Sequence, residues 1–314
     1  MNKWLKRIGI FLLSIIVFLN VVAAFHAYKL THFYDTKDVP YKSPLKMSGW
    51  DKTKVILFGV YFPKKAITTT PAHAYKTFYT TTEDGIRLEG WYIPVKEAKG
   101  TVIMFHGHGG NRSNVVSEAN AFYDFGYNVC MIDFRAHGNS EGNVCTVGYK
   151  EALDVKAAYH YVTSKGEKNI MLWGISLGAA TIAKAMHDDA DIRPSKVILE
   201  MPFGNLSDAV EGRLRIMHLP PQPLSTMLTF WGGVEQGFWG FNMNPADFVE
   251  SIHVPVLLQW GKNDPRVTEA ETRAIYNNLG TSKKQLVIYN QSAHESLLNK
   301  EPEKWLNTVK LFLQ

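Results

Sequence analysis

Short apolar runs alternate with amphipathic stretches along the chain from about Tyr75 onward. The apolar runs predict strands at 101–106, 127–134, 169–174, 196–200, 255–261 and 285–290. The stretches between and after them predict helices at 112–126, 148–165, 177–188, 268–279 and 302–313. Fully apolar strands that alternate with helices are typical of a parallel sheet covered on both faces. The sequence therefore predicts an α/β protein with a mostly parallel central sheet.

Local patterns add detail at two places. The stretch "YKTFYTTTEDGIRLEGWYIP" predicts a β-hairpin that turns at Glu83, Asp84 and Gly85. Thr268 and Glu271 have the spacing of a capping box, so the helix over 268–279 is expected to begin there. Gly280 follows that helix and is expected to close it as a glycine C-cap.

The interval 203–250 interrupts the alternation and is rich in Trp, Phe, Met and Pro. An insertion at the carboxyl edge of such a sheet is where a lid over a site is expected. We predict a helical cap whose aromatic side chains line a pocket for an apolar group. The alternative is a pair of helices packed on the core.

The N-terminal segment is apolar over an unusual length. No Asp, Glu, Lys or Arg occurs in the 21 residues between Arg7 and Lys29. As a helix this stretch would be about 32 Å long, enough to cross a bilayer core of about 30 Å. We therefore predict an uncleaved signal anchor at 1–28, followed by a connector at 29–74 and the α/β domain, with its insertion at 203–250, at 75–314.

The charges before the apolar stretch predict its orientation. Lys3, Lys6 and Arg7 precede the stretch, which places the N-terminus in the cytoplasm and the catalytic domain on the extracytoplasmic side. The alternative is a signal peptide cleaved after Ala24, which would release a secreted protein. Within the connector, "KVILFGVYF" is either a short strand or a membrane-proximal helix.

Composition excludes some classes of function. The chain has 34 basic and 29 acidic residues, a formal net charge of +5, and no long basic run, so it is not expected to bind nucleic acid. Cys130 and Cys145 match no metal-binding spacing. They could pair in an oxidising compartment, but Cys130 lies in a predicted core strand and is expected to be a buried thiol.

A serine lies at the junction of a predicted strand and helix, in the sequence Gly174-Ile175-Ser176-Leu177-Gly178. A sharp turn there would project the Ser176 hydroxyl above the sheet, with glycines making room for the turn. The backbone N–H of Leu177, at the helix start, would point to where an oxyanion forms. We predict that Ser176 is a nucleophile rather than only a helix cap.

The partners of such a serine are expected in the order acid, then histidine. Asp264 follows the predicted strand "PVLLQWG", and His294 follows the next strand, "QLVIYN". Both therefore lie beyond the strand ends on the side where Ser176 sits. Asp133, at the end of a more central strand, is the alternative acid.

The second oxyanion donor is expected in the glycine-rich loop after the strand at 101–106. The backbone N–H of His108 is the candidate, so its imidazole need not take part. A zinc site at His106 and His108 is the alternative, although no third ligand is evident. Asp133 and Arg135 are expected to pair beneath the site, and His137 to be a loop residue.

These motifs resemble the α/β-hydrolase superfamily from about residue 75 to the end. "FHGHGGNR", "DFRAHGNSEG", "GISLGAAT", "GKNDPRVT" and "SAHESLL" match it in order. More narrowly, the chain is similar to membrane-anchored or exported serine hydrolases described as serine aminopeptidase-like or acyl-hydrolase-like, in which "TVGYKEALDV" and "FNMNPADF" have counterparts. The resemblance implies a Ser176, Asp264 and His294 triad and a helical cap. Many relatives carry Asn in place of His108, a difference that a backbone role tolerates.

We therefore expect hydrolysis of an ester or thioester through an acyl-serine intermediate, without cofactor or metal. The expected partners are a small-molecule or lipid-like acyl substrate and, through the N-terminal helix, a membrane. A serine peptidase or aminopeptidase with the same triad is one alternative. A non-catalytic, membrane-tethered binding protein on the same fold is another.

Overall fold

Eight strands form one central sheet in the computed structural model, which describes residues 3–35 and 47–314. A separate parallel pair precedes the sheet in the chain: β1 Phe33–Tyr34 and β2 Phe62–Pro63. The sheet consists of β3 Lys76–Thr81, β4 Arg87–Ile93, β5 Thr101–Phe105, β6 Asn128–Ile132, β7 Ile170–Ile175, β8 Lys196–Glu200, β9 Val256–Gly261 and β10 Lys284–Tyr289.

The strand order is β10-β9-β8-β7-β5-β6-β4-β3. β4 runs antiparallel to both β3 and β6, and the other five pairs are parallel. Every residue of β5, β6 and β9 is buried, because helices cover both faces of the sheet. The predicted mostly parallel α/β sheet and its edge hairpin are therefore confirmed.

Eleven helices surround the sheet in the described part of the chain, apart from a few short 3₁₀ turns. They are α1 Lys3–Thr31, α2 Gly49–Phe58, α3 Val116–Asp124, α4 Ala152–Ser164, α5 Leu177–Asp188, α6 Leu206–Met217, α7 Leu224–Gln236, α8 Pro245–Phe248, α9 Glu269–Asn278, α10 Leu297–Lys300 and α11 Pro302–Leu313. α3, α10 and α11 pack together, while α4, α5, α8 and α9 pack in series.

The capping box at the start of α9 is confirmed, with Thr268 and Glu271 each accepting the other's backbone N–H. The predicted glycine C-cap is wrong. Gly280 does not adopt the left-handed conformation, and its N–H donates to the carbonyl of Val249 at 3.2 Å. A Cβ at this position would lie 2.0 Å from the carbonyl oxygen of Glu250, so a close approach of two backbones requires the glycine.

The interval 203–250 forms the predicted helical cap, built from α6, α7 and short helical turns. Leu206, Leu214 and Ile216 of α6 are buried, so the cap also packs on the core. Both interpretations of the interval therefore describe part of it.

The N-terminal helix α1 has the length and composition to cross a membrane. Most of its side chains are exposed, but Ala23, Ala27 and Thr31 are buried. They lie where α1 packs along α7 of the cap, and the indole N–H of Trp231 donates to the side-chain oxygen of Asn20 at 3.0 Å. α1 is thus part of the packed structure as well as a candidate span.

The segment "KVILFGVYF" forms both of the structures considered for it. Its first part ends α2, on which Trp50 and Phe58 are exposed, and its last part enters β2. Phe62 of β2 stacks on Phe33 of β1, with ring centroids 5.3 Å apart, and both rings are buried in the core. The predicted division into domains at residues 28 and 74 stays a prediction.

Both cysteines are free and buried. Burial raises the pKa of the Cys130 thiol and of the Cys145 thiol, so both stay protonated near neutral pH. They do not form the disulfide that was considered as an alternative.

Two buried arginines hold the loops beside β6. The guanidinium of Arg112 lies 2.5 Å from a carboxylate oxygen of Asp133, and both side chains are almost fully buried. Arg135 instead bonds to Asp154 at 2.7 Å and to Asp84 at 2.6 Å. The predicted pairing of Asp133 with Arg135 is therefore wrong, because each has another partner.

Replacing Arg112 tests how much the buried pair of Arg112 and Asp133 contributes to the free energy of unfolding. In Arg112→Leu the carboxylate of Asp133 keeps its burial and loses its counter-charge, so the free energy of unfolding should fall by about 3–5 kcal/mol. Urea unfolding of the full chain in detergent measures the change. Arg87→Leu is the control, because Arg87 and Glu141 form an exposed pair at 3.6 Å, for which about 1 kcal/mol or less is expected. An equal fall in the free energy of unfolding in the two variants would contradict the conclusion that the buried pair contributes more than the exposed one.

Candidate active site

Ser176 lies at the turn between β7 and α5 with φ 55° and ψ −114°. A non-glycine residue with positive φ is strained, at a cost of about 1–3 kcal/mol, and such strain concentrates at functional sites. The backbone N–H of Ser176 donates to the carbonyl of Glu200 on β8 at 2.7 Å, which holds the turn in place. The side chain is half-buried and stands at the carboxyl edge of the sheet.

The glycines on either side of the turn are required by close backbone contacts. A Cβ on Gly174 would lie 2.6 Å from the carbonyl carbon of Gly178. A Cβ on Gly178 would lie 2.3 Å from the carbonyl oxygen of Phe105 on β5. The spacing of the two glycines therefore lets α5 start directly against the sheet, as the strand-to-helix turn needs.

Three predicted side chains form one chain of hydrogen bonds. Nε2 of His294 lies 2.9 Å from Oγ of Ser176, and Nδ1 of His294 lies 2.6 Å from Oδ2 of Asp264. A carboxylate only accepts hydrogen bonds, so Nδ1 carries the proton and Nε2 is free to accept the serine proton. The arrangement suits transfer of the Ser176 proton to His294.

Asp264 is held by the loop that follows β9. Its second carboxylate oxygen accepts the backbone N–H groups of Arg266 at 2.7 Å and Val267 at 3.0 Å. The carboxylate is fully buried, and its oxygens are satisfied by these donors and by His294. It is thereby fixed in the orientation that points Nε2 of His294 at the serine.

Asp133 does not reach this chain of hydrogen bonds. Its carboxylate accepts the backbone N–H of Arg112 at 2.7 Å and that of Asn139 at 2.9 Å, in addition to the Arg112 guanidinium. Burial raises the pKa of Asp133 to about 6 in spite of Arg112. The hydrogen bonds of this carboxylate hold the loop after β5 against the end of β6. The alternative prediction, that Asp133 is the acid of the triad, is therefore wrong.

The segments that carry the two predicted oxyanion donors lie next to the serine. Leu177 is the first residue of α5, so its N–H has no acceptor within the helix. The loop after β5 lies against the serine, since a Cβ on Gly107 would be 3.6 Å from Cβ of Ser176. In the part of the chain that the structure describes, the N–H groups of His108 and Leu177 make no hydrogen bond to protein.

His106 and His137 support this loop. Nε2 of His106 accepts the N–H of Phe134 at 3.1 Å, and its Nδ1 lies 2.8 Å from the carbonyl of Gly107. His137 is used in the same way, with Nε2 accepting the N–H of Gly109 at 3.0 Å. Both rings are buried, and His137 lies in the loop between β6 and α4, as predicted. Because the main chain occupies both nitrogens of His106, the ring has none left for the zinc ion considered above.

The ring of His108 sits against the aromatic pair of β1 and β2, with centroids 5.2 Å from Phe33 and 5.1 Å from Phe62. Burial, and then the positive charge of Arg213, hold its pKa well below the usual range for histidine. The imidazole is therefore neutral, and its Nε2 is buried without a hydrogen-bond partner. These surroundings give the ring a packing role, which agrees with a purely main-chain donor.

Glu200 is a buried residue that the sequence reasoning missed. One oxygen of its carboxyl group accepts three side-chain N–H groups, from Trp173 on β7 at 3.0 Å, Gln259 on β9 at 3.0 Å and Trp305 on α11 at 2.7 Å. The signal was available in "KVILE", where a carboxylate ends an otherwise apolar strand next to the serine turn. Glu200 positions the strands that carry Ser176 and Asp264.

Comparisons with known proteins agree with this fold. A family model described as serine aminopeptidase, S33, matches residues 96–231 and 245–302, which is more than half of the chain. The chain is 27% identical over 236 residues to the uncharacterized protein YqkD of Bacillus subtilis, covering 73% of this chain and 76% of that protein. It is 26% identical over 245 residues to the uncharacterized protein YfhR of Escherichia coli K12, covering 74% and 78%.

Solved structures share the fold. The Pyrococcus furiosus esterase Pf2001 aligns with a TM-score of 0.68 at 27% identity, over 80% of this chain and 96% of that one. The α/β hydrolase GrgF from Penicillium aligns with a TM-score of 0.61 at 19% identity, over 76% and 98%.

The buried carboxyl group of Glu200 should make stability depend on pH. Burial, and then the nearby Glu118, raise the pKa of Glu200 to about 8, above its usual 4.5. The group therefore stabilises the folded chain below pH 4.5, and this stability is lost as pH rises towards 8. Glu200→Gln cannot ionise, so its Tm should fall less than the wild-type Tm between pH 5 and pH 8.5.

Thermal unfolding of the full chain at several pH values measures this difference. Glu303→Gln, at an exposed position of α11, is the matched control and should keep the wild-type pH dependence. A Glu200→Gln variant whose Tm follows the wild-type curve would show that Glu200 ionises normally.

His108 also offers a test of a main-chain role. His108→Asn keeps the backbone N–H and removes only the neutral ring, so kcat for an activated ester should stay within about tenfold. Losing an oxyanion donor costs about 10²–10³ in kcat, which is the result that would assign the imidazole itself a part in the reaction.

Proposed function

Because this chain belongs to the serine aminopeptidase S33 family of α/β hydrolases, we propose that it hydrolyses acyl esters or thioesters through Ser176. The chain is a hydrolase of the α/β-hydrolase type, and the proposal concerns its mechanism and substrate. The observation that carries it is the continuous chain of hydrogen bonds from Ser176 through His294 to Asp264. Each side chain comes from the end of its own strand, in the chain order that is typical of α/β hydrolases.

In the first step, Oγ of Ser176 attacks the acyl carbon while Nε2 of His294 takes the hydroxyl proton. Asp264 stabilises the resulting imidazolium through its 2.6 Å hydrogen bond. The tetrahedral intermediate then collapses. The bond from the acyl carbon to the leaving oxygen or sulfur breaks, and His294 returns the proton to that leaving group.

The tetrahedral intermediate carries a negative oxygen that needs donors beside Ser176. The N–H groups of His108 and Leu177 take this role, each contributing about 3 kcal/mol by analogy with known oxyanion donors. The positive charges of Arg213, Arg266 and Lys65, which act on the neighbouring His108 ring, favour the same oxyanion. Preorganised donors of this kind need no rearrangement as the charge develops.

In the second step, water attacks the acyl-serine. His294 takes a proton from the water, the carbon–oxygen bond to Ser176 breaks, and the proton passes to the Ser176 alkoxide. The acid product leaves and the triad returns to its starting state. No cofactor or metal takes part in either step.

An aminopeptidase is the alternative that the family description suggests. Such an enzyme must bind the ammonium group of a peptide N-terminus close to the serine. The positive charges of Arg213, Arg266 and Lys65, which act on the His108 ring, would repel that group. The local charge therefore favours neutral or anionic acyl substrates over N-terminal amines.

The helix α1 supports an anchored form of the enzyme. Its 29 residues amount to about 44 Å at about 1.5 Å per residue, longer than a bilayer core of about 30 Å. Signal cleavage after Ala24 would remove Asn20 and Ala23, which contact the cap. We therefore propose a single-pass protein with its N-terminus in the cytoplasm and the catalytic domain on the extracytoplasmic side.

A fluorophosphonate probe and a set of substrates test the proposal. Wild type should be labelled and should hydrolyse p-nitrophenyl acetate, whereas Ser176→Ala should be unlabelled and at least about 10³-fold slower. Ser164→Ala, on the exposed end of α4, is the control and should match wild type.

The same preparations separate the alternatives. Faster release of aminomethylcoumarin from aminoacyl substrates than of nitrophenol from esters would favour the peptidase. Equal labelling of wild type and Ser176→Ala would rule out Ser176 as the nucleophile. Neither labelling nor turnover in wild type would favour a non-catalytic binding protein.

A further inference from the structure

The helix α7 of the cap shows the reverse of the pattern expected of a surface helix in water. A surface helix normally buries its apolar side chains and presents charged ones to the solvent. The buried residues of α7 are instead Ser225, Thr229 and Gly233, which are small or polar and lie four residues apart. Val234 is 47% exposed and Phe230 is only half-buried. Small residues on the packed face and apolar residues on the outer face are typical of helices that contact lipid.

Charge is almost absent from this part of the cap. Glu235 is the only Asp, Glu, Lys or Arg in the range 216–246. Trp239 and Phe241, in the turn that follows α7, are 52% and 37% exposed. Exposed apolar patches of this kind mark sites of contact with a membrane or another protein. We call the exposed residues Val234, Trp239 and Phe241 the outer cap surface.

A continuous series of aromatic rings joins the outer cap surface to α1. The ring centroids of Phe241 and Trp239 are 5.2 Å apart, and those of Trp239 and Phe230 are 5.9 Å apart. The ring of Phe230 lies 5.3 Å from that of Trp231. The indole N–H of Trp231 in turn donates to the side-chain oxygen of Asn20 on α1 at 3.0 Å. The surface is therefore continuous with the helix that is the candidate membrane span.

The position of Asn20 in α1 sets the depth of α7 relative to a bilayer. Only residues 8–19, which are all uncharged, lie between Arg7 and Asn20. As a helix they are about 18 Å long, whereas a bilayer core is about 30 Å thick. A bilayer that α1 spans must therefore also surround about 12 Å of the helix from Asn20 onward. The helix α7 lies along that part of α1, because Gln236 near its end donates to Oγ1 of Thr31 at 3.4 Å.

A second element exposes apolar side chains at the same end of α1. Gly59 follows α2 and packs on α1, since a Cβ on Gly59 would lie 2.6 Å from Cγ of Lys29. The side chains of Trp50, Leu57 and Phe58 on α2 are 67%, 61% and 68% exposed. Aromatic residues around the end of a span are typical of the membrane interface. Apolar side chains therefore surround this end of α1 from α2 as well as from the cap.

We propose that the outer cap surface is embedded in the extracytoplasmic leaflet beside α1, so that the protein contacts the bilayer through its cap as well as through its span. This inference rests on the proposed anchoring by α1. Interfacial elements lie about 5–10 Å into the boundary between headgroups and acyl chains, which agrees with the position of α7 along α1. Because Glu235 supplies the only charge in the range 216–246, that segment has no basic residue with which to select anionic lipids. The ligand is therefore a neutral phospholipid surface.

Fluorescent labels at single introduced cysteines test the proposal. Cys130 and Cys145 are the only cysteines of the chain and are buried, so the folded protein gives no labelled background. The full chain is placed in phosphatidylcholine vesicles with a nitrobenzoxadiazole label on Val234→Cys or on Phe241→Cys. Nitroxide-labelled phosphatidylcholine should quench either label at least about twofold more than a label at a water-exposed position, because both lie in the interface.

Two further positions serve as controls. Leu311 on α11 is 68% exposed, and the carbonyl of the next residue, Phe312, accepts a hydrogen bond from Lys196 at the start of β8. It thus lies at the edge of the sheet opposite the cap, and a label on Leu311→Cys should be quenched least. Leu13 is 60% exposed within α1, so a label on Leu13→Cys should be strongly quenched in the span.

The outcomes separate the cap contact from the anchor. Labels at residues 234 and 241 that are quenched no more than the label at 311, with strong quenching at 13, would overturn the cap contact and keep the anchor. Labels at 234 and 241 that are shielded from aqueous iodide but not quenched by the lipid would show that a protein chain covers the surface, which also overturns the proposal. Absence of quenching at 13 would refute the proposed anchor itself. Only variants that keep the wild-type Tm are compared, and either cap position alone decides the result.

Discussion

The hydrogen bonds that converge on Glu200 hold together the strand ends on which the candidate active site depends. Its backbone carbonyl receives the N–H of Ser176, and its carboxyl group receives donors from Trp173 and Gln259 on the two flanking strands. A buried carboxyl group is costly unless its partners are in place, so the network enforces one arrangement of β7, β8 and β9. The strand ends that lead into Ser176 and Asp264 are therefore positioned by the sheet itself, and the loop after β9 then holds Asp264 in place.

The candidate site draws on two parts of the chain: the sheet with the loops at its strand ends, and segments that lie outside the sheet. The sheet, the strained serine turn and the loop carrying His294 bring the three side chains of the candidate site together. Phe33 and Phe62 of the β1 and β2 pair bring residues from before the sheet against the loop that carries His108. The surroundings of the candidate site are thus built from stretches that lie far apart in the chain.

The alternation of apolar and amphipathic stretches predicted the strands and helices of the sheet, because each is set by local periodicity. The placement of Ser176, Asp264 and His294 at strand ends followed from the same pattern and from the order of the motifs. Pairings between distant residues could not be predicted in this way. Arg112 rather than Arg135 binds Asp133, and Gly280 is needed for a contact with Glu250, because tertiary packing decides both. The contact of α1 with the cap could not be predicted either, because a run of apolar residues does not show which of them pack against another helix.

The packing of α1 against the cap places two different demands on one helix. The exposed face needs only hydrophobicity, and many apolar residues would serve there. The face that carries Ala23 and Ala27 needs small side chains as well, because α7 lies directly against it. An unrelated apolar helix of equal length, grafted in its place, would lose this close contact with α7. In this protein the sequences of α1 and α7 therefore have to change together.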